Sequence, residues 1–130
     1  MTTATEVRIV EATREHISFV AWVVMAANRS HLPKGMWDFN IGGSEEDVLR
    51  YLEALADTEQ VHWAHRSLFV VAEVDGVPAA GMCGFFENDL GPASMMAGAA
   101  EVNQKIGRSV EETAAGWERS KAIMGIVIRP

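Results

Sequence analysis

The sequence predicts a mixed α/β domain of the α+β type, and three observations carry that expectation. Val7, Ile9 and Ala12 alternate with Arg8 and Glu11, the period of a short strand. Asp75-Gly76, a strong two-residue hairpin signal, separates two runs rich in Val, Ala and Phe. Between and after them, apolar residues recur at helical spacing. The expected order is a short strand, two helices, a β-hairpin, two further helices and a terminal strand.

The first strand runs into a helix with Thr13 as its N-cap, since a threonine hydroxyl can accept from an exposed amide of the first turn. From Arg14 to about Asn28 the positions Ile17, Val20, Ala21, Val24 and Ala27 form one stripe. Phe19, Trp22, Val23 and Met25 fill much of the remaining surface, so this helix should be covered on more than one side. Leu32-Pro33-Lys34-Gly35 ends it, and residues 36–40 read as a loop leading to Gly42-Gly43. Ser44 with Asp47 resembles a capping box, and Glu45, Glu46 and Asp47 place negative charge at the positive end of the helix dipole. The second helix then carries Val48, Leu49, Leu52, Leu55 and Ala56 on one face, ending near Asp57.

Leu68 to Val74 and Val77 to Phe86 form the hairpin. Pro78 belongs at the start or outward side of its strand, and Gly81 and Gly84 suggest a bulge or a close approach. A helix follows from about Ala93 to Ile106, with Gly107 at its C′ position. Another begins at Ser109, capped reciprocally by Glu112, and runs to Met124 with Gly125 as terminator. Ile126-Val127-Ile128 reads as a strand just beginning.

A chain of 130 residues fits one domain. Hydrophobic residues at 48% and charged residues at 22% match a globular chain rather than a disordered one. The formal charge of −7 has the wrong sign for nucleic acid or an anionic membrane surface. The longest apolar stretch, Ile17 to Ala27, falls well short of the roughly 20 residues that span a bilayer. With a lone Cys83, no basic leader in Met1 to Thr5 and no close set of zinc ligands, a cytoplasmic protein without a metal is expected.

The order strand, helix, helix, hairpin, together with Phe69-Val70-Val71-Ala72-Glu73-Val74-Asp75-Gly76-Val77-Pro78-Ala79-Ala80-Gly81-Met82-Cys83-Gly84-Phe85, resembles the N-terminal half of a GNAT-superfamily N-acetyltransferase. The opening Val7-Arg8-Ile9-Val10-Glu11-Ala12-Thr13 is similar to that superfamily's first strand and helix entry. The resemblance covers about residues 6 to 87. It implies acetyl transfer from acetyl-CoA to a small-molecule amine, with the cofactor pyrophosphate cradled by a Gln/Arg-x-x-Gly-x-Gly/Ala loop at a helix N-terminus. Gln104-Lys105-Ile106-Gly107-Arg108-Ser109 approximates that loop, with Ser109 where Gly or Ala is expected. On this reading Gln104, Gly107 and Ser109 hold the cofactor. The other reading takes residues 93–125 as a helical insertion in a partial domain, with the cofactor half absent, and the end at Ile128-Arg129-Pro130 fits such a truncation.

The resemblance also places His31, Met36, Trp37 and Asp38 nearest the acceptor, with Asp38 accepting from an ammonium. The plainer alternative is a hydrophobic plug with Asp38 as a cap. Glu73 lies where acetyltransferases sometimes carry a general base, yet strand alternation also allows it to face solvent. Cys83 lacks an adjacent group to lower its pKa and reads as a buried small hydrophobe. His62 and His65 have ligand-like spacing but no third partner, and read as partly exposed rings flanking a packed Trp63. Met95, Met96 and Trp117 read as core packing. A non-enzymatic module pairing through an exposed sheet edge, as in a homodimer, is the competing function.

Overall fold

The computed structural model describes residues 4–127. Strand β1 (Val7–Glu11) is followed by a 3-10 turn at Arg14–His16 and by helices α1 (Ile17–Arg29), α2 (Met36–Ile41) and α3 (Glu45–Ala56). A second 3-10 turn at Arg66–Leu68 leads to β2 (Phe69–Val74) and β3 (Val77–Cys83), then to α4 (Pro92–Ile106) and α5 (Val110–Val127). The architecture is α+β, with one antiparallel sheet ordered β1-β2-β3.

The capping chemistry explains where the elements begin. At Thr13 the backbone amide donates to His16 Nδ1 at 3.0 Å, so the first turn starts at the expected cap. Ser44 and Asp47 form the reciprocal box, with Ser44 N to Asp47 Oδ2 at 2.8 Å and Asp47 N to Ser44 Oγ at 3.2 Å. Asp75 and Gly76 both take positive φ, 49° and 80°, as a type I′ hairpin turn requires. The Asp75 carboxylate also accepts from Glu6 N at 3.0 Å, which ties the turn to the start of β1.

Helix α1 is buried on two sides, as its wide apolar surface predicts. Val20 packs with Ala12, Phe69 and Val71 against the sheet, while Ala21 and Met25 face Leu52, Leu55 and Val102 in a second core cluster. Trp22 on the same helix remains 51% exposed. On α3, Val48, Leu52, Leu55 and Ala56 are buried as the stripe requires, and Tyr51 joins them. Truncating Leu52 or Leu55 to Ala should cost about 2–5 kcal/mol, because neither leaves room for the site to collapse freely.

Several expectations are corrected. Residues 36–41 form a helix, because Asp38 accepts from Gly35 N at 2.8 Å and starts a turn that a loop would leave unsatisfied. Gly125 does not end α5, which continues through Val127, so Ile126 and Val127 are helical and Ile128 lies outside the described residues. The register shift in the hairpin falls between Ala72 and Glu73, opposite the Pro78–Ala80 segment, rather than at Gly81 or Gly84. Gly81 instead meets α1, where a Cβ would lie 3.3 Å from Val23. Strand β3 ends at Cys83, short of Phe86.

Candidate functional site

Between α1, β3 and the α4–α5 pair lies a cavity of about 670 Å³. Its wall is mainly apolar. Five of the seven methionines (Met36, Met82, Met95, Met96 and Met124) and three of the four tryptophans (Trp37, Trp63 and Trp117) line it. Thioethers adapt to an irregular guest and indoles offer flat contact area, so this wall suits a small molecule with a large apolar or aromatic body.

Two of these indoles have aromatic neighbours. Trp63 stacks on Phe85 with ring centroids 5.8 Å apart and donates from Nε1 to the Leu90 carbonyl at 2.9 Å. Trp37 lies 6.3 Å from Tyr51. Neutral polar groups finish the wall. Tyr51 donates to Asn103 Oδ1 at 3.0 Å, and Asn40 Nδ2 donates to Ser120 Oγ at 3.1 Å. Burial pushes the Tyr51 phenol above its ordinary pKa, so it stays a neutral donor. No aspartate or glutamate lines the cavity among the described residues, and its one charged group is Arg108.

Met36 and Trp37 thus lie on the cavity wall, while His31 sits exposed in the turn after α1 and does not. Asp38 is buried and committed elsewhere. It receives Arg29 Nη2 at 2.6 Å and Nε at 2.9 Å, a bidentate pair, besides the Gly35 amide. The Arg29 hydrogen bond holds the Asp38 carboxyl well below its usual range despite burial. This carboxylate fastens α2 to α1 and caps α2, which leaves it no free oxygen aimed at a ligand.

Glu73 shares the inward face of β2 with Phe69 and Val71 and does not face open solvent. Its Oε1 lies 3.9 Å from His16 Nε2, and it does not line the cavity. Cys83 is exposed on the cavity wall rather than buried in the core. Desolvation of its sulfur raises the thiol pKa, which keeps it protonated and unreactive at neutral pH.

His62 and His65 are both buried, against the expectation of partial exposure. His62 Nδ1 accepts from Ala64 N at 3.2 Å, so Nε2 carries the proton toward Thr58 Oγ1 at 2.8 Å. His65 likewise accepts at Nδ1 from Ser67 N, 3.1 Å, and donates from Nε2 to the Thr58 carbonyl at 2.9 Å. Both rings staple the loop between α3 and β2, and no group of three metal-ligating side chains occurs among the described residues.

Gln104 is exposed near the end of α4, and Gly107 takes φ 72° as its left-handed cap. The amides of Gly107 and Arg108 both donate to the Asn103 carbonyl. Ser109 N reaches Glu112 Oε2 at 3.2 Å, and Ser109 Oγ accepts from Glu112 N at 3.0 Å. The amides of Gly107, Arg108 and Ser109 are therefore engaged within the chain. This stretch terminates one helix and starts the next.

A second cleft of about 590 Å³ borders the first, with Tyr51 and Arg108 on both walls. Arg50, Arg108 and Arg119 line it together with Asp47 and Glu112. Sequence periodicity missed both clefts, because residues of helices far apart in sequence line them together. The signal available was the clustering of Met and Trp outside the buried stripes. No protein-family model, no curated protein and no solved structure matches this chain.

Proposed function

We propose that this chain binds a small-molecule amine in the Met- and Trp-lined cavity and forms the acceptor-binding part of an acetyl-transfer domain of the GNAT type. The donor that this reading implies is acetyl-CoA. The observation that carries this reading is the cavity itself, whose wall includes Met36 and Trp37 from the segment that the resemblance assigns to the acceptor. Support also comes from the order of strands and helices up to β3. Since no carboxylate lines the cavity among the described residues, an ammonium would enter without a counter-charge. The acceptor therefore enters as the free base, the form that attacks a thioester.

Thermal unfolding with acetyl-CoA and with aromatic amines tests this. A ligand at a hundredfold excess over its Kd raises stability by about 2.7 kcal/mol, visible as a saturable shift of the midpoint. A cooperative transition unmoved by either ligand class at millimolar concentration overturns the reading.

A second reading has its own observation. Strand β3 pairs only with β2 among the described residues, and its Met82 is 69% exposed. An open edge of this kind accepts a strand from another chain. A solution mass that doubles at high concentration, and returns to one chain in the variant Met82→Lys, would favour this pairing; one chain at every concentration would remove it.

A further inference from the structure

Arg108 is the only charged residue on the wall of an otherwise neutral and apolar cavity, and no carboxylate neutralises it among the described residues. Its Nη2 donates to the Asn40 carbonyl at 2.7 Å and to the Glu112 carbonyl at 3.3 Å. The guanidinium carbon lies 5.7 Å from the centre of the Tyr51 ring. These contacts and the neighbouring Tyr51 hydroxyl fix the group in space, and no carboxylate pairs with it among the described residues. A half-buried cation held in place without a counter-ion is costly to desolvate unless an anion joins it.

The neighbouring cleft adds Arg50 and Arg119 but also Asp47 and Glu112, so its charges beyond Arg108 balance. Arg119 spends its donors on the Phe39 and Asn40 carbonyls, at 2.6 and 3.3 Å, and so keeps its full charge there. Arg50 has only a 3.9 Å contact to Asp47. The two acids of that cleft, Asp47 and Glu112, are the partners of the Ser44 and Ser109 caps. Arg108, shared by both clefts, is thus the cation that faces the cavity without an acid beside it there.

From this we propose that the cavity takes an amphipathic anion, a molecule with an apolar or aromatic body that lies among Met95, Met96 and Trp117 and an acidic group that binds Arg108. This rests on the cavity being the ligand site proposed above and names its substrate class, an apolar amine that also carries a carboxylate or a similar anionic group. With Nη2 held by the Asn40 and Glu112 carbonyls, Arg108 donates to such a group from Nη1 or Nε in a single charge-assisted hydrogen bond, which sets the register of the body along the cavity.

The probes are 1-anilinonaphthalene-8-sulfonate and N-phenyl-1-naphthylamine, which share one aromatic body and differ by the sulfonate. Each brightens in an apolar site. Both are titrated into the full chain, into Arg108→Gln and Arg108→Lys, and into Ala99→Trp, whose new ring fills the cavity. The sulfonate should bind with one-to-one saturation at least about tenfold more tightly than the neutral probe, a difference of about 1.4 kcal/mol. Arg108→Gln should abolish that preference without changing the affinity of the neutral probe, and Arg108→Lys should restore part of it. Ala99→Trp should weaken both.

Equal affinity of the two probes, or a preference that survives in Arg108→Gln, overturns the anion site while leaving an apolar cavity in use. Failure of both probes to bind overturns the cavity as a ligand site and with it the anion proposal. Should Arg108→Gln fail to fold, salt dependence in the parent chain decides. Sulfonate affinity falling with ionic strength while the neutral probe is unaffected supports the pair, and equal insensitivity overturns it.

Discussion

Asp38 joins two partners that lie apart in local structure, and its charge belongs to the fold. The bidentate Arg29 pair and the Gly35 amide draw α1 and the start of α2 together, and Arg29 Nη1 continues to Glu45 of α3 at 2.9 Å. Replacing Asp38 with Ala leaves a mostly covered guanidinium and an uncapped helix start. The variant should lose roughly 2–4 kcal/mol of unfolding free energy in urea. The pH dependence follows from the depressed carboxyl. Its stabilisation is complete above its ordinary pKa of 3.8 and is lost as pH falls through the lower folded value. An Asp38→Ala chain as stable as the parent at neutral pH would mean that Glu45 alone satisfies Arg29.

The loop from Thr58 to Leu68 is held to α4 by His62, which lies against Gly98 so closely that a Cβ there would stand 2.8 Å from Nε2. Desolvation, with His65 nearby, lowers the His62 pKa from 6.5 to about 4. A group depressed in the folded state is protonated first in the unfolded chain, so stability is full above pH 6.5 and falls as pH drops from 6.5 to about 4. At about 1.4 kcal/mol per pH unit the loss reaches about 3 kcal/mol. Urea unfolding across that interval should show the decline in the parent and a flatter curve in His62→Gln. Gly98→Ala, which forces the ring out of place, should cost about 2 kcal/mol or more at pH 7.

These examples mark how far sequence patterns reach. Ser44 with Asp47, Asp75-Gly76 and the Val48–Ala56 stripe are local and periodic, and each was legible. The helix at Met36–Ile41 was not, because its cap depends on a carboxylate that Arg29 of another helix holds in place. Nor was the burial of His62 and His65, whose nitrogens are satisfied by loop amides and carbonyls that no spacing rule reveals. The cavity was half legible. Met36 and Trp37 were placed near it, whereas Met95, Met96 and Trp117 read as core filler because helical spacing alone cannot tell a packed face from one lining a void.

The molecule is held together unevenly, and the cavity lies at the weaker seam. Helices α1 and α3 bury Val20, Ala21, Met25, Val48, Leu52 and Leu55, whereas Gly116 and Ser120 are the buried residues of α5 among those described. Helix α5 is docked mainly on α2, through Gly116 packed against the Asn40 carbonyl and through the Asn40–Ser120 and Arg119–Phe39 hydrogen bonds. A helix attached by polar contacts and one close glycine crossing opens at a lower free energy than one buried on two sides. Native-state hydrogen exchange should therefore release the α5 amides well before those of α1 and α3, with α5 opening the cavity to solvent. A ligand seated between Met95 and Trp117 binds only the closed arrangement, so it should slow exchange in α5 by a factor that grows with its concentration over Kd while leaving α1 unchanged. Gly116→Val, which cannot approach the Asn40 carbonyl, should speed exchange throughout α5 and weaken that protection. If the α5 amides exchange as slowly as those of α1 and α3 in the free chain, the cavity wall is part of the global core, and entry must occur instead through the β3 side, past Met82 and Cys83.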